Sequence, residues 1–298
     1  MVEHSTQALL PPELERVIFE LAAYTRPLSI PRLMLVAWRV KAWVEPLLYR
    51  VLLLTDPKTW YASRAGLHGA SQYPYQDDHA FSQIFAIPPS VLQTSVQHLC
   101  LLQIDQELAH FLLSNCLSVH DLWLLTNLGT SLDLVGALRL KRLHYHITDI
   151  FQNNTVDFTH SLFLQITHLE IFDSPRDLPD GSWSNLALIP NLTHLAFNDD
   201  GFLPLLPSVL RACASLRVLA LVMPSSSPVR VQISDELTQD MRFVWMACDE
   251  YIRDWHQGAL TGEDYWARAE AFIDRRRRGD LTDPLQYWIE RDASQRLP

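Results

Sequence analysis

His98, His144, His146, His168 and His194, five of the twelve histidines of this chain, stand in short leucine-centred stretches that also hold Asp121, Arg142 and Glu170. Imidazole and carboxylate are ordinary zinc ligands. A closed tetrahedral site is usually written into a sequence as close ligand pairs, and these residues carry no such spacing, so no metal is expected. A plainer reading is that a polar residue ahead of a strand leucine is normal and that histidine fills it. A third reading adds Trp123 and Phe172, which stand in the same rows. Aromatic residues and arginine together anchor protein interfaces, so Trp123, Arg142, His144, His146, His168, Glu170, Phe172 and His194 are the candidate client-binding residues. Nothing points to catalysis: there is no G-x-S-x-G, P-loop, H-E-x-x-H or dinucleotide fingerprint, and nine glycines leave little material for phosphate loops. The chain is expected to be non-enzymatic, with no catalytic residue and no cofactor.

A repeat positions these residues. Ile166-Thr167-His168-Leu169-Glu170-Ile171 returns as Leu192-Thr193-His194-Leu195-Ala196-Phe197. The pattern apolar-x-x-Leu-x-apolar recurs at Val96/Leu99/Leu101, Val119/Leu122/Leu124, Leu140/Leu143/Tyr145 and Leu216/Leu219/Leu221. The central leucines, from Leu99 through Leu122, Leu143, Leu169 and Leu195 to Leu219, are spaced by 23, 21, 26, 26 and 24 residues, inside the ~20–29 residues of leucine-rich repeats. Each copy reads as one short strand whose leucines point to one face and whose flanking residues point to the other. Parallel strands need crossovers. A helix is expected over 106–114 after an Asp105 N-cap, with Leu108, Phe111 and Leu112 on its inner face. Another is expected over 207–213, and short turns over 153–165 and 174–190. Thr148, Ser174 and Asp200 stand where such repeats carry a loop-bonding asparagine; only Asn127 fits the pattern. The fold class is thus α/β, a leucine-rich-repeat solenoid of horseshoe-like arc with a parallel sheet on its concave side. Leu143 and Leu169 are expected inside, His144 and His168 accessible on that concave face.

Composition sets bounds. With 48% apolar and 19% charged residues the chain can bury a large core. A net charge of -10 argues against nucleic acid as a partner. Four cysteines without paired spacing suit reduced thiols. The start of the sequence lacks a signal-peptide pattern and no apolar run approaches a membrane span, so a cytoplasmic or nuclear protein with no membrane partner is expected. The organisation reads as a helical segment and entry strand at 1–54, an insertion at 55–95 with an exposed loop over 67–78 and a short helix over 80–87, repeats at 96–240, and a strand with capping helices at 241–298. In that last part, Thr261-Gly262-Glu263-Asp264 reads as a capping box opening a helix with Trp266, Ala269 and Ile273 inward. Arg275 to Arg278 followed by Gly279 reads as its solvated end; a nuclear address or an anion site is the alternative. A further turn over 283–289 is expected to lay Trp288 and Ile289 on the open end of the array.

At the N-terminus, Leu10-Pro11-Pro12-Glu13-Leu14 opens a helix expected to run to Ala23, with Leu14, Val17, Ile18 and Leu21 on one stripe. A second helix, carrying Leu33, Val36, Ala37, Val40 and Val44, is expected to stop before Pro46, ahead of a strand over 48–54. Two such helices cannot bury both apolar faces on each other; they require the array or a partner. The opening Leu10-Pro11-Pro12-Glu13-Leu14 with Val17-Ile18-Phe19 resembles the F-box opening. Leu33 to Val36, Arg39-Val40, Trp43 and Pro46-Leu47-Leu48-Tyr49-Arg50 resemble its second half as written in mushroom-type fungal F-box-like proteins. Such boxes often carry Ser or Cys and a basic residue where Val36-Ala37-Trp38 stands. The resemblance implies binding to the Skp-type adaptor of a cullin ubiquitin ligase through Pro11, Leu14, Val17, Ile18 and Leu21, with an unknown protein client held on the repeats. Two alternatives are a repeat scaffold outside any ligase, its N-terminal helices serving as the cap that a solenoid needs, and a metal-dependent enzyme.

Overall fold

A computed structural model describes residues 10–55, 84–126, 132–151, 155–179, 181–225 and 233–289; the loop expected over 67–78 lies outside them. Among the described residues, nine parallel strands follow one another in chain order across a single sheet. They are β1 (Val51–Thr55), β2 (His98–Leu102), β3 (Asp121–Leu125), β4 (Arg142–Tyr145), β5 (His168–Ile171), β6 (His194–Phe197), β7 (Val218–Met223), β8 (Phe243–Ala247) and β9 (Trp288–Ile289). The expected strand leucines are in register: Leu99 pairs with Leu122, Leu122 with Leu143, Leu143 with Leu169, Leu169 with Leu195 and Leu195 with Leu219. A one-residue slip in any pair would turn these leucines to the opposite face. The tail contributes two strands: β8, expected over 242–246, and β9 in place of a turn.

The leucine face is closed by the crossovers. Helix α5 (Gln106–Asn115) starts where Asp105 accepts the Leu108 N–H at 2.8 Å, as expected, and buries Leu108 and Leu112. Helix α8 (Leu206–Ala212) buries Val209 and Leu210. Between them lie α6 (Leu132–Gly136), α7 (Ile147–Ile150) and the short turns expected, which take 3-10 form at Ser161–Phe163, Pro175–Asp177 and Ser182–Leu188. Helices α4 (Pro89–Ser95) and α9 (Asp235–Gln239) precede β2 and β8. Neighbouring loops are tied by a carboxylate one strand on: Asp173 accepts from the Ile147 and Thr148 amides at 2.6 and 3.0 Å, and Asp249 from the Ser225 amide at 2.7 Å. Thr148 therefore joins the ladder as a donor to a side chain, not as a side-chain partner of loop backbone.

The N-terminal helices form a small unit with its own core. Helix α1 (Pro12–Thr25) carries Glu13 and Glu15 in its first turn, where the helix dipole favours them. The second helix is broken in two, α2 (Ile30–Leu33) and α3 (Trp38–Leu48), and α3 runs two residues past Pro46. So close to a helix end, Pro46 removes one donor without stopping the last turn. Ala23, Ile30, Val40 and Val44 are buried together, and Arg39 grips Glu15 with two hydrogen bonds of 2.9 and 2.7 Å.

The largest departure from expectation is on the other face of the sheet, which is not open. Helices α10 (Tyr251–Thr261) and α11 (Tyr265–Arg278) form a hairpin lying across it. Helix α10 runs from the end of β7, where the Tyr251 hydroxyl donates to the Val222 carbonyl, past Asp121 on β3 to Arg50 ahead of β1. Helix α11 returns along the starts of β4 to β8, from Arg142 to the Phe243 carbonyl. Its Trp266, Ala269 and Ile273 are buried as expected. Thr261 does not open this helix: it closes α10, Gly262 turns the chain at φ 81°, and Asp264 caps α11 by accepting the Ala267 N–H. Nor is the arginine run wholly solvated. Arg276 is buried and donates to the Asp240 and Phe243 carbonyls at 3.0 and 3.3 Å, while Gly279 ends the helix as expected.

Candidate interaction faces

Beneath the hairpin the outward residues of β2 to β6 form a buried polar row. Asp121 Oδ2 lies 3.0 Å from His98 Nδ1, and Asp121 Oδ1 lies 3.5 Å from His144 Nε2 while accepting the Trp255 indole N–H at 3.1 Å. His144 Nδ1 is 2.6 Å from Glu170 Oε2. Burial alone would lower the His144 pKa, but Asp121 and Glu170 on its two sides raise it to about 9, so the ring is an imidazolium at neutral pH. Burial likewise works to raise the Asp121 carboxyl and is outweighed by hydrogen bonds to His144 and His98, which hold it well below the usual range. Trp123 stacks on His144 with centroids 5.4 Å apart.

One strand further the logic reverses. His168 stacks on His194 at 3.9 Å with Trp266 edge-on to both rings. Burial, with the neighbouring His194, Arg142 and His144, pushes His168 down to about 2, so it is neutral. His194, lowered mainly by burial, faces Glu270 at 3.0 Å. Arg142 is drawn to the hairpin apex by Asp264 at 2.5 Å.

The sequence placed these side chains correctly in their rows and incorrectly in their exposure. Trp123, His144, Glu170 and His194 are buried, which corrects the expectation of a free client face; Arg142, His146, His168 and Phe172 keep partial exposure. The reason is that α10 and α11 need cover for their own Ile252, Trp255, Ala259, Phe272 and Ile273. Trp255, Asp264, Tyr265 and Glu270 were missed as partners. The stripe Ile252/Trp255/Ala259 was the available signal, interrupted by Arg253, Asp254, His256 and Gln257. Among the described residues, no group of three or more His, Cys, Asp or Glu is arranged to hold a metal ion.

The second face is on α1. Leu14, Val17, Ile18 and Leu21 are 51–61% exposed, and Pro11 is exposed beside them. The stripe turns to solvent because the opposite side of the helix, through Phe19 and Ala23, already serves the small core. Leu28, Leu35, Val36 and Trp38 are also exposed on the same helical unit. Isolated exposed leucines are normal, but apolar side chains grouped along one helix stripe are the mark of an interaction site. The sequence matches no protein-family model, and no curated protein is similar to it. No helix among the described residues is long and apolar enough to cross a membrane.

Proposed function

We propose that this chain is a non-enzymatic substrate-recognition subunit of a Skp-cullin-F-box type ubiquitin ligase, built as an F-box-like helical segment followed by leucine-rich repeats. The observation that carries the reading is the solvent-facing stripe Leu14/Val17/Ile18/Leu21 on a helical unit whose own core is already satisfied. A helix serving only as a cap would turn its stripe onto the sheet. Each of these side chains is already about half buried, so removing the rest from water gains on the order of 1 kcal/mol apiece, and four of them together supply a substantial part of the affinity of an adaptor contact. The client is held on the sheet side, where Arg142, His146, His168 and Phe172 offer charged and aromatic contacts. Co-purification of the full chain with a Skp-type adaptor tests the reading; absence of a complex with intact folded protein would leave a repeat scaffold outside any ligase.

A further inference from the structure

The two rims of the sheet differ in charge. The segments that leave the strand ends hold Asp105, Asp149, Asp177, Asp199, Asp200 and Asp249. The rim where the strands begin is built from one residue per repeat, joined through the backbone: the His120 amide donates to the Gln97 carbonyl, Lys141 to His120, Thr167 to Lys141, Thr193 to Thr167 and Arg217 to Thr193. None of these residues is acidic. Neighbouring strands are about 4.8 Å apart, so positive charge gathers where β2, β3 and β4 start. His98 and His120 meet edge to face with ring centroids 4.9 Å apart. Lys141 is exposed, as is Arg139 two residues ahead of it, and neither has an ion pair among the described residues. The nearby carboxylates are already engaged: Asp121 is buried against His98, His144 and Trp255, and Asp264 is held by Arg142 at 2.5 Å. Glu263, exposed beside Asp264, pairs with none of these cations. Arg217, at the far end of the row, is matched by Glu270 at 3.3 Å. Burial, with His98, Lys141 and Arg142, pushes the His120 imidazole below its ordinary value, Asp121 acting against them. The field at His120 is that of cations short of a counter-ion.

We propose that this rim, centred on His120 and Lys141, docks an acidic segment of the client protein. This rests on reading the repeats as the part that holds the client, and it gives that client a chemistry. A short peptide fits the rim: an extended chain turns every second side chain to one side at intervals of about 7 Å, so two or three carboxylates span the starts of β2 to β4. Nucleic acid fits less well. Its phosphates follow one another without gaps and would run off the patch onto a chain whose net charge is -10. The same net charge repels an acidic peptide from the rest of the surface, so the complementarity works for specificity at this rim.

Full-length protein is titrated into a fluorescein-labelled peptide of alternating Glu and Ser, and into its Gln-Ser counterpart. Binding is read by fluorescence anisotropy at ~0.15 M ionic strength, where charges more than about 8 Å apart are largely screened. The Glu peptide is expected to bind and the Gln peptide not. Arg139→Glu/Lys141→Glu is expected to weaken the Glu peptide at least about ten-fold, and Arg139→Gln/Lys141→Gln several-fold. Arg32→Glu/Arg176→Glu, the same change in net charge at exposed positions away from the rim, is expected to leave the affinity unchanged. All four side chains are exposed, so thermal unfolding should stay close to wild type. Failure of the Glu peptide to bind, equal weakening in the two Glu double variants, or tighter binding of a single-stranded oligonucleotide of equal charge would overturn the proposal. The titration needs no adaptor, so its outcome is separate from that of the co-purification.

Discussion

At the scale of single residues, His144 and His168 are the same side chain in adjacent strands driven to opposite charge states. His144 sits between Asp121 and Glu170, so its folded pKa, about 9, exceeds the ordinary imidazole value of 6.5. Its contribution to stability is complete below pH 6.5 and is lost as pH rises through 9. His168 is lowered from 6.5 to about 2, so its contribution is complete above pH 6.5 and declines as pH falls. The depressed Asp121 carboxyl adds a further loss on strong acidification. Stability is thus predicted to peak near pH 6.5. Urea unfolding from pH 5 to 9 checks this, and His144→Gln should flatten the alkaline limb; stability that climbs steadily toward pH 9 would contradict the charge assignment. The sequence showed which residues share a row because the strand period is two. It did not show their ionisation, which depends on Trp255 and Tyr265 closing the row from far along the chain.

At the scale of elements, the repeat strands were legible because a leucine every two dozen residues has one economical explanation, a stack of short parallel strands. The Asp105 cap and the Gly279 stop were equally readable, since each satisfies backbone groups locally. The hairpin was not: its apolar stripe in α10 is narrow and its turn is made by Gly262 and Asp264 together. Gly258 marks how closely its two arms approach, since a Cβ there would stand 2.5 Å from that of Asp264. Gly258→Ala is predicted to destabilise the hairpin by about 1–3 kcal/mol through overpacking, seen as greater acrylamide quenching of tryptophan fluorescence; unchanged quenching and stability would show that the arms have room. Leu169 is fully buried in the leucine-face core, and Leu169→Ala is predicted to cost about 2–5 kcal/mol of global stability, measurable by chemical denaturation. A loss under 1 kcal/mol would mean that the crossovers do not pack as described.

At the scale of the whole molecule, a polar-centred sheet face lies under a helical hairpin and an unsatisfied apolar stripe lies on a separate helical unit, with Arg50 and α10 between them. The stripe was legible in sequence as a periodicity. Its exposure was not, because Leu14, Val17, Ile18 and Leu21 fit a buried cap as well as a docking face until the side of α1 that serves the small core is known. The central claim is that this stripe docks an adaptor. Its most direct test is the affinity of purified full-length protein for a Skp-type adaptor by calorimetry, wild type against Ile18→Glu. Ile18 is about half exposed in the free chain, so the substitution should leave thermal unfolding close to wild type. An unpaired carboxylate in the docked interface costs several kcal/mol, so binding should fall below detection. Equal affinity in the two proteins would contradict the account, as would Ile18→Glu unfolding the repeats, because either result places the stripe somewhere other than an adaptor interface.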